Sequence, residues 1–177
     1  MILFIGKKMK NLFLIGGTMG VGKTAVSRAL QKELNNCIFL DGDWCWNASP
    51  FIVNEETKAM VIDNICHLLN SFLRCQAYEN VVFCWVMHER QIIDDILKNL
   101  DTSMCKVWAI SLIADEKTVT ERLEKDIKLG IRQKDVLARS LAKIPLYEKL
   151  DTLKVPACGA TAEEIAQKII SLCRDKS

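Results

Sequence analysis

Residues 17–24 read Gly17-Thr18-Met19-Gly20-Val21-Gly22-Lys23-Thr24. This is the G-x-x-x-x-G-K-[ST] spacing of a Walker A phosphate-binding loop. It constrains the fold strongly, because the motif works only between a strand and the start of a helix. Both neighbours are present: the apolar run Leu12-Phe13-Leu14-Ile15 before it, and a helical pattern from Ala25 to Leu34 after it. The glycines let the backbone turn tightly and bring its N–H groups close to phosphate oxygens. The helix beginning near Lys23 adds its positive N-terminal dipole. Lys23 is expected to reach the β- and γ-phosphates, and the Thr24 hydroxyl to hold Mg²⁺. A glycine-rich turn that binds nothing is the competing reading, and the flanking strand and helix weigh against it.

Apolar runs without polar alternation recur at 11–16, 37–40, 81–86, 107–112 and, more weakly, 153–155. Strands covered on both faces have this character, and helical patterns lie between the runs, so the chain reads as an α/β fold with a parallel sheet. The helices are expected from Lys23 to about Leu34, over 55–77, over 89–100, from Glu116 onward and over 162–173. In the second, Val61, Ile65, Leu68 and Phe72 are expected to form the buried face, behind an Asn54 cap. Asp115 is expected to cap the fourth, and Thr161 with Glu164 forms a capping box for the last.

The chain has 177 residues, half of them apolar, which suits one domain with a proper core. We read 9–177 as that single domain and residues 1–8 as an N-terminal extension ahead of it. A net charge of +2 argues against a general nucleic-acid binder. No apolar run is long enough to span a membrane. The eight cysteines are scattered without a C-x-x-C pair, so they read as free thiols of a cytoplasmic protein.

After the second strand comes Asp41-Gly42-Asp43-Trp44-Cys45-Trp46. Ligands of open parallel sheets bind at the carboxyl ends of the strands. Asp41 and Asp43 are therefore expected beside the phosphate loop, where a carboxylate can accept a proton or hold Mg²⁺. We favour Asp43 as the base and Asp41 for the metal; Asp-Gly is equally a turn signal. Trp44 and Trp46 offer flat apolar surface to a small substrate. The third strand ends without the aspartate that hydrolytic motor proteins carry there. His88 and Arg90 follow that strand and are candidate substrate contacts, whereas His67 is read as structural. The segment 121–143 holds seven basic and four acidic residues around Gly130 and reads as a hinged lid over phosphates.

These features together resemble the small P-loop kinases that phosphorylate metabolites: shikimate kinase, gluconate kinase, adenylate kinase and chloramphenicol phosphotransferase. The likeness runs from Asn11 to Leu172. It implies a P-loop NTPase three-layer α/β/α sandwich, a five-stranded parallel sheet in the order 2-3-1-4-5, and a helical lid. It implies that Arg122 or Arg132, with Arg139 as a second, neutralises the transferring phosphate. It also implies that the loop containing Gly159 and Ala160 lies against the adenine base. The chain departs from each subfamily: strand three lacks the glycine cluster of shikimate kinases, and the residues after it are not the basic cluster of gluconate kinases. The Asp-Gly-Asp-Trp-Cys-Trp stretch is similar to that of bacterial proteins described only as nucleotide-binding or kinase-like.

The expected activity is transfer of the ATP γ-phosphate, with Mg²⁺, to a hydroxyl of a small molecule. A nucleoside or nucleoside-monophosphate kinase is one alternative. A nucleotide-binding switch with weak hydrolysis is another. The expected partners are a nucleotide and a small acceptor, with neither nucleic acid nor membrane, in a monomer or homodimer.

Overall fold

The computed structural model describes residues 9–175; the extension expected at 1–8 lies outside them. Five strands, β1 (Lys10–Gly16), β2 (Cys37–Asp41), β3 (Asn80–Cys84), β4 (Cys105–Ile113) and β5 (Leu153–Pro156), form one sheet in the order β2-β3-β1-β4-β5. Every pairing is parallel. Among the described residues seven α-helices connect and cover them: α1 (Lys23–Glu33), α2 (Glu55–Arg74), α3 (Arg90–Leu97), α4 (Glu116–Lys128), α5 (Val136–Leu141), α6 (Ile144–Lys149) and α7 (Ala162–Arg174).

The layers follow from the two-residue period of a strand. In β1, Phe13 and Ile15 point into a core with Val26 and Leu30 of α1, Val119 and Leu123 of α4 and Ile165 and Ile169 of α7. Leu12 and Leu14 point the other way, into a core with Val61, Ile65 and Leu69 of α2 and Ile93 and Ile96 of α3. Both faces of the central strands are dry, which is why their sequences do not alternate.

The buried stripe of α2 differs from the expected one. Val61 and Ile65 are buried as expected, but Leu69 and Leu73 continue the stripe, while Leu68 is exposed and Phe72 only partly covered. The apolar arc of this helix is wide enough to offer two stripes, and packing against β3 and α3 selects the one at constant four-residue spacing. The caps form as the sequence implies. Asn54 and Thr57 bond reciprocally, Asp115 accepts from Thr118 N–H at 2.7 Å, and Thr161 and Glu164 close a capping box.

Register places the site. Asp41 pairs with Cys84 and Cys84 with Ile15, so the carboxyl ends of β2, β3 and β1 form one row. Asp41 therefore stands two strand spacings, about 10 Å, from the strand that launches the phosphate loop.

Candidate active site

The loop leaves β1 with Gly17, Gly20 and Gly22 at positive φ. At Gly20 the need is twofold: φ is +79°, and a Cβ would meet the Leu123 side chain at 2.7 Å. Gly22 then starts α1 with no side-chain cap and no acidic residue in the first turn. The other helices of eleven or more residues, α2, α4 and α7, each have a capping side chain and an acid in that turn. The first N–H groups of α1 are thus kept for a ligand, and the dipole there favours an anion.

Outward-facing groups of the loop are tied to its surroundings. Lys23 Nζ donates to Thr18 O at 3.0 Å. The buried Thr18 hydroxyl donates to Ser140 O at 2.7 Å, and Ser140 Oγ donates to Met19 O, also at 2.7 Å. Arg122 Nη1 donates to Val21 O at 2.8 Å, and its Nη2 to Ala157 O at 2.9 Å. Arg122 thereby joins the phosphate loop to the β5–α7 connection, which continues into Gly159 and Ala160. Gly159 has φ +66°, and the space around its Cα is open: a Cβ there would meet nothing within 4 Å. Tyr147 of α6 is buried beside Gly16, its hydroxyl turned toward the backbone of Gly17 and Met87.

Across the cleft, Thr24 Oγ1 donates to Asp41 Oδ2 at 2.8 Å, and Asp41 Oδ1 accepts from Asp43 N–H at 3.1 Å. A hydroxyl and a carboxylate side by side form the hard-oxygen donor pair that Mg²⁺ takes alongside phosphate and water. The described residues hold no cluster of three or more His, Cys, Asp or Glu side chains suited to a metal. An ion here would therefore share its coordination with the nucleotide, as Mg²⁺ usually does. The neighbouring end of β3 presents Cys84, whose thiol burial pushes up to about 12. It is a neutral group where a motor protein places an acid.

Lys23 and Asp43 face each other electrostatically. Burial lowers the Lys23 ammonium to about 8, against the attraction of Asp43 and Asp41. Burial raises the Asp43 carboxyl, and the negative Asp41 adds to it; Lys23, Arg132 and the Trp85 indole oppose the shift. Arg132, whose Nε donates to Asp126 at 3.3 Å, is thus a charged neighbour of both Lys23 and Asp43. Arg139 is paired with Asp135 at 3.0 Å on its own helix.

The remaining expected contacts separate. Trp44 lies edge-on to Phe39, with ring centroids 5.4 Å apart. In the 3-10 turn Gly42–Trp46, residues three apart share a side, so Trp46 rather than Trp44 accompanies Asp43. Trp46 packs against Phe51 with the rings tilted at 44° and centroids 4.8 Å apart. His88 is held neutral by burial and by nearby Lys143, with Glu89 3.4 Å away. Arg90 is exposed and bonded to Asp94 at 2.8 Å. His67 is on the surface of α2.

The sequence alone does not single out Trp85, Phe51 or Ser140 as site residues. Trp85 immediately follows a strand that ends in the site row, and that position is its one sequence signal. Gly42 answers to it: a Cβ there would sit 2.6 Å from the Trp85 ring.

The sequence matches the family described as AAA domain over residues 14–140. No curated protein matches it by sequence. Solved structures match its fold along nearly the whole chain. A gluconokinase from Sinorhizobium meliloti 1021 is 15% identical, with TM-score 0.66, covering 95% of this chain and 96% of its own. The tunicamycin resistance protein of Deinococcus radiodurans is 19% identical, with TM-score 0.68 and coverage of 93% and 95%. The shikimate kinase of Acinetobacter baumannii, solved with shikimate, is 22% identical, with TM-score 0.64 and coverage of 97% and 96%. The chain belongs to the AAA-domain family and has the P-loop fold that these structures share.

Proposed function

We propose that the chain transfers the γ-phosphate of ATP to a hydroxyl group of a small molecule. The observation that carries this reading is the placement of Asp43: a carboxylate beside Lys23 and next to the Thr24–Asp41 pair, to which its own N–H is bonded. A loop that only bound nucleotide has no need of a base on that side, and the two tryptophans beside Asp43 supply a surface that an attacking water does not need.

In this reading the acceptor oxygen forms a bond to the γ-phosphorus as the bond from that phosphorus to the β–γ bridging oxygen breaks. ADP leaves, and the acceptor's hydroxyl proton passes to Asp43. Little covalent chemistry falls to the protein, so its contribution is positioning and charge neutralisation. Lys23 and the α1 N-terminus hold the phosphates. Arg132, in the basic segment 121–143, approaches as that segment closes like a lid, and Arg122 fixes the loop's shape from behind. Thr24 and Asp41 would hold Mg²⁺, which when bound neutralises phosphate charge. Gly159 and Ala160 lie on the loop that Arg122 ties to the phosphate site, in position to border the base of the nucleotide.

The kinase names of the structural neighbours support this reading. Arg90 gives little to a nucleoside-monophosphate acceptor, since its guanidinium is engaged by Asp94. The neutral Cys84 at the end of β3 is the observation that favours the switch reading. Phosphorus NMR of reactions with ATP, Mg²⁺ and a panel of hydroxyl compounds separates the two. Phosphotransfer gives a phosphate ester and ADP in equal amounts. A switch gives only slow release of inorganic phosphate, whatever the panel contains.

A further inference from the structure

The stretch that follows Asp43 has a composition unlike the donor side. From Gly42 to Glu89 there are six acidic residues and two basic ones, Lys58 and Arg74. Lys58 bonds Glu55 at 2.8 Å. Arg74 and Glu79 both lie at the amino end of the sheet, away from the site, Arg74 beside Lys10 and Glu79 just ahead of β3. Lys143, reaching in from the start of α6, has Glu89 as its counter-charge. Arg132, the charged neighbour of Asp43, is likewise bonded to Asp126, so the cations around this side of the cleft are matched by carboxylates. An incoming carboxylate or phosphate would meet surplus negative charge.

The same stretch is aromatic and uncovered. Trp85 borders Asp43, Trp46 shares the Asp43 side of its turn, and Phe51 packs at a tilt against Trp46. Phe51, Ile52 and Val53 follow in sequence at 59%, 52% and 57% exposure. Apolar side chains consecutively exposed beside a site mark a surface that something covers. This segment is nevertheless built in place. Asn64 Nδ2 donates to Cys45 O at 3.2 Å, and Thr57 Oγ1 donates to Ile52 O at 2.9 Å, tying it to α2 at both ends.

We propose that the phosphate acceptor is a hydroxyl compound that carries no carboxylate or phosphate and presents an aromatic or apolar face to Trp46, Phe51 and Trp85. The inference rests on the phosphotransfer reading and adds the class of its acceptor. Aromatic walls grip a flat apolar face, and the acid surplus turns away anions. A compound of this class places one hydroxyl at Asp43 while its apolar body fills the wall.

Matched acceptors test it. ADP release by the full chain with ATP and Mg²⁺ is measured for uridine against uridine monophosphate, and for phenyl glucoside against methyl glucoside and gluconate. The expected result is that the uncharged member of the first pair and the phenyl member of the second set each have a kcat/KM higher by about tenfold or more. Phe51→Ala should raise KM for the preferred acceptor about tenfold, with kcat kept, because it removes binding surface without touching the reacting atoms. Preference for gluconate or uridine monophosphate, insensitive to Phe51→Ala, overturns the acceptor class and leaves phosphotransfer standing. Absence of transfer to every member, with nucleotide bound, counts against phosphotransfer itself and against this inference with it. A dimer in sedimentation that Phe51→Ala dissociates would assign the apolar segment to a second copy and overturn the inference.

Discussion

The phosphate loop is braced by Ser140, Arg122 and its own Lys23, whereas the aromatic segment across the cleft is tied only at its ends and leaves Phe51, Ile52 and Val53 bare. Under the proposed function, the contrast reflects what each part binds. Phosphate groups are the same in every nucleotide, so a pre-set backbone cradle serves them and rigidity costs no generality. An acceptor differs from one relative to the next, and its specificity is carried by side chains on a connecting segment set on a fixed frame. Solved structures share the fold at 15–22% identity while their names point to different compounds.

The largest expected effect breaks the donor half outright. Lys23→Ala removes the ammonium between Thr18 O and the phosphates, and phosphotransfer should fall by about a thousandfold or more, read as ADP release. A smaller loss should follow Ser140→Ala, which removes the partly buried bond to the Met19 carbonyl and loosens the loop's link to α5. Leaving a buried polar group unpaired costs about 1–3 kcal/mol, so ADP affinity by calorimetry should weaken by about tenfold, with a lower Tm. Ser140→Thr, which retains the hydroxyl, should recover most of the affinity. If Ser140→Ala binds ADP normally, the bracing does not shape the donor site.

The pH dependence sharpens the comparison further. Phosphate needs Lys23 protonated, and burial sets the free protein's Lys23 at about 8. Nucleotide affinity should therefore fall as pH rises through 8, and binding near pH 8 should take up a proton, detectable as a buffer-dependent binding enthalpy. Without nucleotide the sign is opposite for stability. The folded state holds fewer protons than the unfolded between about 8 and the ordinary 10.5, so this group's contribution to folding becomes more favourable as pH rises through that window. Lys23→Ala should abolish both effects.

The same division explains what can be read without coordinates. The donor half is legible because its chemistry is local: eight consecutive residues supply the turn, the N–H groups, the ammonium and the hydroxyl. The strand order and the Asp41–Thr24 partnership follow from the resemblance and from the rule about carboxyl ends of strands. Ser140 is invisible because its bond is distant, 122 positions from Thr18. Trp85 and Asp43 meet only because β2 and β3 pair in register, and the three-residue repeat of the following 3-10 turn decides that Trp46 and not Trp44 shares the Asp43 side. The buried stripe of α2 is ambiguous for a related reason: its apolar arc is broad, and only the neighbour it packs against chooses between equivalent faces.

The central claim is that Asp43 serves the acceptor and not the nucleotide. It is tested most directly by measuring kcat and the ADP dissociation constant of Asp43→Asn beside the unaltered protein, with kcat/KM followed over pH. The substitution keeps the shape and removes the proton-accepting charge. Turnover should fall by about a hundredfold or more. The ADP dissociation constant should stay within about twofold, because the nucleotide contacts are left intact. The unaltered protein should lose activity as pH falls through a carboxyl value above the ordinary Asp range, the direction in which burial moves Asp43, and the variant should lose that limb. Turnover that survives the substitution, or a loss matched by an equal loss of ADP binding, would contradict the account.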